Sequence, residues 1–179
     1  EPLVKWQLSA IVSFERIHTM KDTALHLYVN HPAKKPNFST IGDALDSLPS
    51  VSVSTQTFPA VSEEITPVII HIASGTYRER LVVERPYVTF MGEHADTTII
   101  AYHLAAYEMM PDGERRGTFR TASIHINTHD FTAKNISFVN DAGYGHTVGQ
   151  ALALYADGDR LLFEDCRMIS SQDTLFTAP

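Results

Sequence analysis

One internal repeat constrains this chain more than any other feature. Phe131, Ala133, Ile136 and Phe138 are matched further on by Leu161, Phe163, Cys166 and Met168, each position shifted by the same interval, with a loop from Val139 to Gly149 between the copies. Short β-rich segments with apolar residues at fixed positions and loops of variable length are what the stacked coils of a parallel β-helix require. The competing architectures fit less well. No tight Asn-Gly turn joins the segments, which disfavours a meander, and no long helical pattern separates them, which disfavours a doubly wound α/β sheet. The expected fold is all-β, a parallel β-helix with a short N-terminal helix.

The rest of the chain reads in the same terms. Leu25, Leu27 and Val29 alternate with His26 and Tyr28, predicting a strand. Phe38, Ile41, Leu45 and Leu48 recur at alternating steps of three and four, predicting a helix capped by Asn37 or Ser39 and ended by Pro49. Ser50 to Thr66 is a Ser/Thr/Pro-rich loop. Strands are expected at Val68–Ile72, Leu81–Val83, Val88–Phe90, Thr98–Ala101, Ser123–Ile126, Phe131–Phe138, Ala151–Tyr155 and Leu161–Met168, with a turn at Gly75 and a long polar loop from Tyr102 to Gly117. The expected organisation is an N-terminal arm or non-native segment over 1–19, with Met20 as a candidate start, and one β-helix unit over 20–179.

Charge and cysteine content remove several function classes. Lys plus Arg number 14 and Asp plus Glu 21, a net charge of −7. Nucleic-acid binding needs clustered cations and is not expected. No apolar run reaches the roughly 18 residues of a membrane span. The single cysteine, Cys166, leaves no internal disulfide and no Cys-based zinc site. It falls at an inward position of the repeat and reads as a small core residue.

Chemistry-bearing residues concentrate near the C-terminus. Gln150 opens Gln150-Ala151-Leu152-Ala153-Leu154, and Gln172-Asp173-Thr174-Leu175 follows it. The interval from Gln150 to Gln172 is close to one coil, and coils stack about 4.8 Å apart, which brings two amides and a carboxyl group together. Amide N–H groups can stabilise an oxyanion, and a carboxyl group can deliver or accept a proton, so the set suits acyl chemistry. No Gly-x-Ser-x-Gly elbow supplies a serine nucleophile.

Five stretches in this order, Phe38-Ser39-Thr40-Ile41, Gly75-Thr76-Tyr77-Arg78-Glu79, Gly117 to Ser123, Gly149 to Leu154 and Gln172 to Leu175, resemble the pectin methylesterases (pectinesterases). The resemblance runs from about Leu25 to Phe176. It implies a right-handed, single-stranded parallel β-helix that hydrolyses galacturonate methyl esters in pectin and releases methanol. In that family one aspartate attacks the ester carbonyl, a second is general acid and then base, and two glutamines form the oxyanion hole. The resemblance assigns Asp173 as the acid/base. It makes Gln172 the transition-state-stabilising glutamine, and Gln150 the glutamine that binds substrate and completes the hole. Thr118 matches the threonine of the substrate groove, and Phe119 beside it is a candidate sugar contact. It implies no metal and no organic cofactor. The implied partners are methyl-esterified pectin or oligogalacturonides, with no nucleic acid and no membrane.

The match also has a departure. The family's nucleophilic aspartate lies in a later Asp-Phe-Ile-Phe-Gly-like motif, and a substrate-binding arginine and tryptophan follow it, all past the position of Pro179. Phe176 stands where a tyrosine is usual. The chain therefore reads as the N-terminal half of a pectinesterase, truncated on the C-terminal side and inactive alone, with an exposed β-helix edge for association. The alternative is a non-catalytic carbohydrate-binding or structural β-helix. A β-helix polysaccharide lyase fits less well, for want of a calcium cluster. The family implies an extracellular setting, while the lack of a clear signal peptide leaves a cytoplasmic one open.

Other residues have plainer readings. His125 and His129 are four apart but lie in and after a β segment, so they read as surface or turn histidines rather than a metal pair. His146 reads as groove lining, and Asp157-Gly158-Asp159 as a tight turn rather than a calcium loop. Asn37-Phe38-Ser39 and Asn135-Ile136-Ser137 match the glycosylation sequon, the second reading as structural.

Overall fold

A computed structural model of the chain describes residues 24–49, 51 and 65–178. The 1–19 arm, Met20 and most of the 50–66 loop lie outside the described residues. The described residues form three parallel sheets. The first sheet holds β1 (Leu25–Val29), β2 (Asn37–Phe38), β3 (Val68–Ile72), β6 (Val88–Gly92), β9 (Thr132–Lys134) and β12 (Leu162–Glu164). The second holds β4 (Gly75–Tyr77), β7 (Thr98–Tyr102), β10 (Ser137–Asn140) and β13 (Arg167–Ile169). The third holds β5 (Leu81–Val83), β8 (Ile124–Asn127), β11 (Leu154–Asp157) and β14 (Leu175–Thr177). The chain visits the three in rotation, so β3–β4–β5, β6–β7–β8, β9–β10–β11 and β12–β13–β14 are four successive coils of a parallel β-helix.

The repeat read from the sequence is the register itself. Ala133 pairs with Phe163 and Phe138 with Met168, the same partners that the shifted apolar pattern matches. Inward columns run Leu27–Ile70–Phe90–Ala133–Phe163 in the first sheet and Tyr77–Ile100–Phe138–Met168 in the second. These columns are the core, with Phe90, Phe131 and Phe138 fully buried. Leu161, Phe163, Cys166 and Met168 in the fourth coil pack against that core but are only partly buried.

Two expected strands are each two strands. Phe131–Phe138 breaks at Asn135 (φ 57°) and Leu161–Met168 at Asp165 (φ 51°). A left-handed residue turns the chain from the first sheet into the second, and after glycine Asn and Asp tolerate that conformation best. This also gives Asn135 of the second sequon its structural role. The corner from the third sheet back to the first uses the same device at Tyr87, Asp130 and Arg160. Gly75 begins β4 rather than making a turn.

The helix, α1 (Ile41–Asp46), is shorter than its apolar spacing suggests, because Phe38 belongs to β2. Its cap is Thr40, whose Oγ1 accepts from Asp43 N at 3.0 Å, not Asn37 or Ser39. Asn37 Oδ1 instead accepts from His31 N at 2.8 Å. The carboxylate of Glu79 accepts from Ile41 N and Gly42 N at 3.0 and 2.8 Å, tying the helix to the first coil. The helix packs against β1, β2 and β5, so it bridges two sheets at that end.

Between coils the third-sheet-to-first corner carries an ion-pair ladder. Arg160 Nε and Nη2 donate to the two oxygens of Asp130 at 2.7 Å each, and His129 Nδ1 is 2.7 Å from the same carboxylate. The Arg160 hydrogen bonds hold Asp130 below the usual carboxylate range. The stabilisation is therefore present above the ordinary carboxylate pKa and lost as pH falls through the depressed one.

Both kinds of contact can be tested by substitution. Phe138→Ala removes a fully buried ring between Ile100 and Met168, and should cost about 3–5 kcal/mol in chemical denaturation. Asp130→Asn should lower stability at neutral pH, with the gap to the parent protein closing below roughly pH 4. An unchanged gap in acid would show that the Arg160 pair contributes nothing.

Candidate active site

The five residues singled out by sequence share one corner, the passage from the second sheet to the third. Thr118 and Phe119 lie there in the second coil, Gln150 in the third, and Gln172 and Asp173 in the fourth. The connections are long in the second and third coils and short in the fourth.

Backbone geometry fixes each residue. Thr118 opens a 3-10 turn (Thr118–Arg120) after Gly117, whose φ of 72° favours glycine. Thr121 Oγ1 donates to Thr118 O at 2.6 Å and accepts from Leu152 N at 2.9 Å, linking the Thr118 turn to the Gln150 strand entry. Gly149 (φ 78°) precedes Gln150 and lies against Tyr107, where a Cβ would come within 2.8 Å of the ring. Gln150 O accepts from Ala106 N at 3.0 Å.

The fourth coil locks onto the third at the same level. Ala151 N donates to Gln172 O at 3.1 Å, and Ser170 Oγ donates to Ala151 O at 2.5 Å. Thr174 O accepts from Ala153 N at 2.9 Å. Leu154 pairs with Leu175, so Gln172 aligns with Ala151, and Gln150 is its diagonal neighbour rather than its direct partner. The side chain of Gln172 lies against Gly145, the first residue of the short helix α2 (Gly145–Val148). A Cβ there would fall 2.2 Å from Gln172 Oε1. Asp173 is exposed and left-handed (φ 54°), at the solvent edge of the corner.

A buried amide joins the layers. Asn140, at the end of β10, donates to Leu104 O, Thr121 O and Leu152 O at 2.9, 2.9 and 3.0 Å. Two N–H bonds thus serve three carbonyls, one from the 103–117 loop, one beside Thr118 and one beside Gln150. Its own carbonyl accepts from Ala142 N at 3.1 Å. Sequence reasoning did not select Asn140. Its one signal is an uncharged polar residue at an inward strand position.

An aromatic ribbon runs from the corner along the outer face of the third sheet. His125, Tyr155 and Phe176 are register partners in successive coils. Ring centroids are 4.1 Å apart for His125–Tyr155 and 4.6 Å for Tyr155–Phe176, and Phe119 sits edge-on to Phe176 at 5.1 Å. Phe119 is 60% exposed. Burial pushes the His125 pKa down, which favours the neutral ring at neutral pH. Tyr155 and His125 were not selected as site residues; stepping from His125 by one coil, and then by the shorter coil after it, finds the ribbon. Tyr144 and His146, on and beside α2, are exposed and stack on each other at 6.0 Å, which puts His146 at the rim. His129 is engaged with Asp130, and Asp157-Gly158-Asp159 forms a turn with Gly158 against Thr128.

Amide donors and a carboxyl group beside a row of aromatic rings can stabilise charge on an acyl oxygen and offer apolar contact to a ligand. Residues 31–179 match the family model described as Pectinesterase. The chain belongs to the pectinesterase family. Pectinesterase A of Dickeya chrysanthemi is 32% identical over 155 residues, covering 79% of this chain and 39% of that protein. Pectin methylesterase PemA from Erwinia chrysanthemi superposes with a TM-score of 0.72 at 30% identity, covering 87% of this chain and 46% of that one. A crystal structure of pectin methylesterase in complex with a hexasaccharide superposes equally well. The fold is accordingly the right-handed parallel β-helix of these pectinesterases. The chain spans less than half the length of these relatives.

Within a pectinesterase corner of this shape, Gly145 is the residue that gives Gln172 its space. Gly145→Ala should displace the Gln172 side chain while changing the melting temperature by no more than about 3 °C. The check is the Gln172 side-chain amide signal by NMR together with a thermal melt. An unmoved signal would mean that Gln172 does not depend on the cavity at Gly145.

Proposed function

We propose that this chain carries the acid/base and oxyanion half of a pectin methylesterase site and the sugar platform beside it. The observation that supports the reading is that Gln150, Gln172 and Asp173 lie at one corner of two adjacent coils, beside the aromatic row of Phe119, Tyr155 and Phe176. Family membership supports methyl-esterified pectin or oligogalacturonides as the ligand class.

In this reading a galacturonate ring lies on the aromatic ribbon and its ester carbonyl points at the two glutamine amides. Attack by a carboxylate makes a tetrahedral oxyanion, which the amide N–H groups stabilise. Asp173 gives a proton to the departing methanol, then takes one from the water that releases the acyl-enzyme. Its left-handed backbone holds it at the solvent edge, where methanol leaves and water enters. Thr118 lines the groove, two hydrogen bonds away from the Gln150 strand entry through Thr121. The attacking carboxylate is supplied by a further parallel coil stacked on β12, β13 and β14. The inward Phe163 and Met168 of those strands are only partly buried, and Leu175, the partner of buried Leu154, is 49% exposed, so this end offers the edge for it. No step requires a metal or an organic cofactor.

The test is methanol release from highly methylated pectin. The chain by itself should bind methylated oligogalacturonide, with Phe119→Ala weakening binding several-fold, and should release no methanol. The chain joined to coils bearing the carboxylate should release methanol, and Asp173→Asn should abolish that release. Binding with no release in either form favours the non-catalytic carbohydrate-binding alternative. Release that survives Asp173→Asn removes Asp173 from the mechanism.

A further inference from the structure

A second cluster of chemistry-bearing side chains lies on the first sheet, apart from the corner that holds Gln150 and Asp173. His26 and Tyr28 on β1 and His71 on β3 alternate with the buried Leu27, Val29, Ile70 and Ile72, so they stand on the outer face. Tyr28 is the register partner of His71, and His26 lies opposite Ile69, one diagonal away. His26 Nδ1 and His71 Nε2 are 2.9 Å apart, with the ring planes 14° from parallel. Tyr28 stacks on His71 at 4.9 Å between centroids. One nitrogen of the pair donates its N–H to the other. The sugar chemistry at the distant corner makes no use of either ring.

Two imidazole nitrogens that face each other from paired strands become a chelate when the proton between them is displaced. Metal–imidazole bonds are about 2.0–2.1 Å long. Drawn from nitrogens 2.9 Å apart, they meet at about 90°. That is the angle between neighbouring ligands in a tetragonal site, the geometry of Cu(II) and Ni(II); tetrahedral Zn(II) needs a wider separation.

We propose that His26 Nδ1 and His71 Nε2 form a binding site for one divalent transition-metal ion of the Cu(II)/Ni(II) class. The ion takes the place of the shared proton, which passes by way of solvent to the other nitrogen of the same ring, so both imidazoles stay neutral and no electron moves. Among the described residues no group of three or more His, Cys, Asp or Glu converges on a metal position. Water therefore completes the coordination, and the ion exchanges readily. The continuous ladder between β1 and β3 and the Tyr28 ring hold the two ligands in place. Burial, and then the nearby His26, His31 and Lys34, push the His71 pKa down, so its ring is unprotonated and ready to ligate at neutral pH. Lys34 also repels a cation, so affinity rests on nitrogen ligation rather than on the local field.

The experiment adds copper(II) to the whole chain in a non-coordinating buffer near neutral pH, read by calorimetry and electron paramagnetic resonance. One equivalent should bind with the signature of two imidazole nitrogens. His26→Ala and His71→Ala should each weaken binding at least about tenfold, since even supporting residues at metal sites cost 10–100-fold. His94→Ala should leave it unchanged. The same affinity and spectrum in both His26 and His71 variants would overturn the proposal. A second readout needs no variant to fold. In the unaltered chain, substoichiometric copper should broaden the His26 and His71 ring signals first, and earlier broadening of any of the other seven of its nine histidines would overturn the site.

Discussion

The parallel register between coils is the constraint on which everything else rests. Leu154 opposite Leu175, and Phe138 opposite Met168, set which loop residues stand over which. A slip of one residue would turn every inward side chain outward. It would also separate Gln150 from Gln172, which are neighbours only through the Ala151–Gln172 hydrogen bond. The same ladder that buries the core therefore sets the chemistry of the corner. Loop length can vary there without cost to the core, because the strands on either side carry the register.

Loops on a solenoid need an internal anchor, and Asn140 provides it. Three carbonyls from three segments meet one buried amide. Without it Leu104 O and Thr121 O would lose their solvation without compensation, at about 1–3 kcal/mol apiece, while Leu152 O also accepts from Ser123 N at 3.3 Å. Thr121 and Ser123 extend the arrangement, Ser123 Oγ donating to Val139 O at 2.7 Å. The polar interior of this corner is thus a device that keeps long connections at one height above the strands.

Much of this was legible in the residues. The interval that carries Ala133 onto Phe163 and Phe138 onto Met168 is the observed pairing, and the inward placing of Cys166 follows from it. What periodicity could not show was the chain direction between apolar positions. Asn135 and Asp165 look like ordinary polar residues inside a β run, yet each turns the chain into another sheet. Thr40 outcompeted Asn37 for the helix start because Asn37 was already committed to the His31 amide. The aromatic ribbon escaped because its members come from coils of unequal length. The step from Tyr155 to Phe176 is shorter than the step from His125 to Tyr155, so no single period connects the three. Asn140 escaped because the value of a buried amide depends on three partners distant in sequence.

The two ends of the stack are unlike. Helix α1, held by Glu79, lies across the first coil, while the fourth coil leaves its apolar residues half covered. In a solenoid each layer is stabilised by contact with its immediate neighbours alone. A chain emerging from the ribosome can therefore lay each coil on a finished template, starting from the capped end, with no need to wait for distant sequence. The corner that holds Gln150 and Gln172 would mature in the same order. The corner is assembled as a course of bricks is laid, with the Gln172 and Asp173 of the fourth coil set upon the Gln150 of the third.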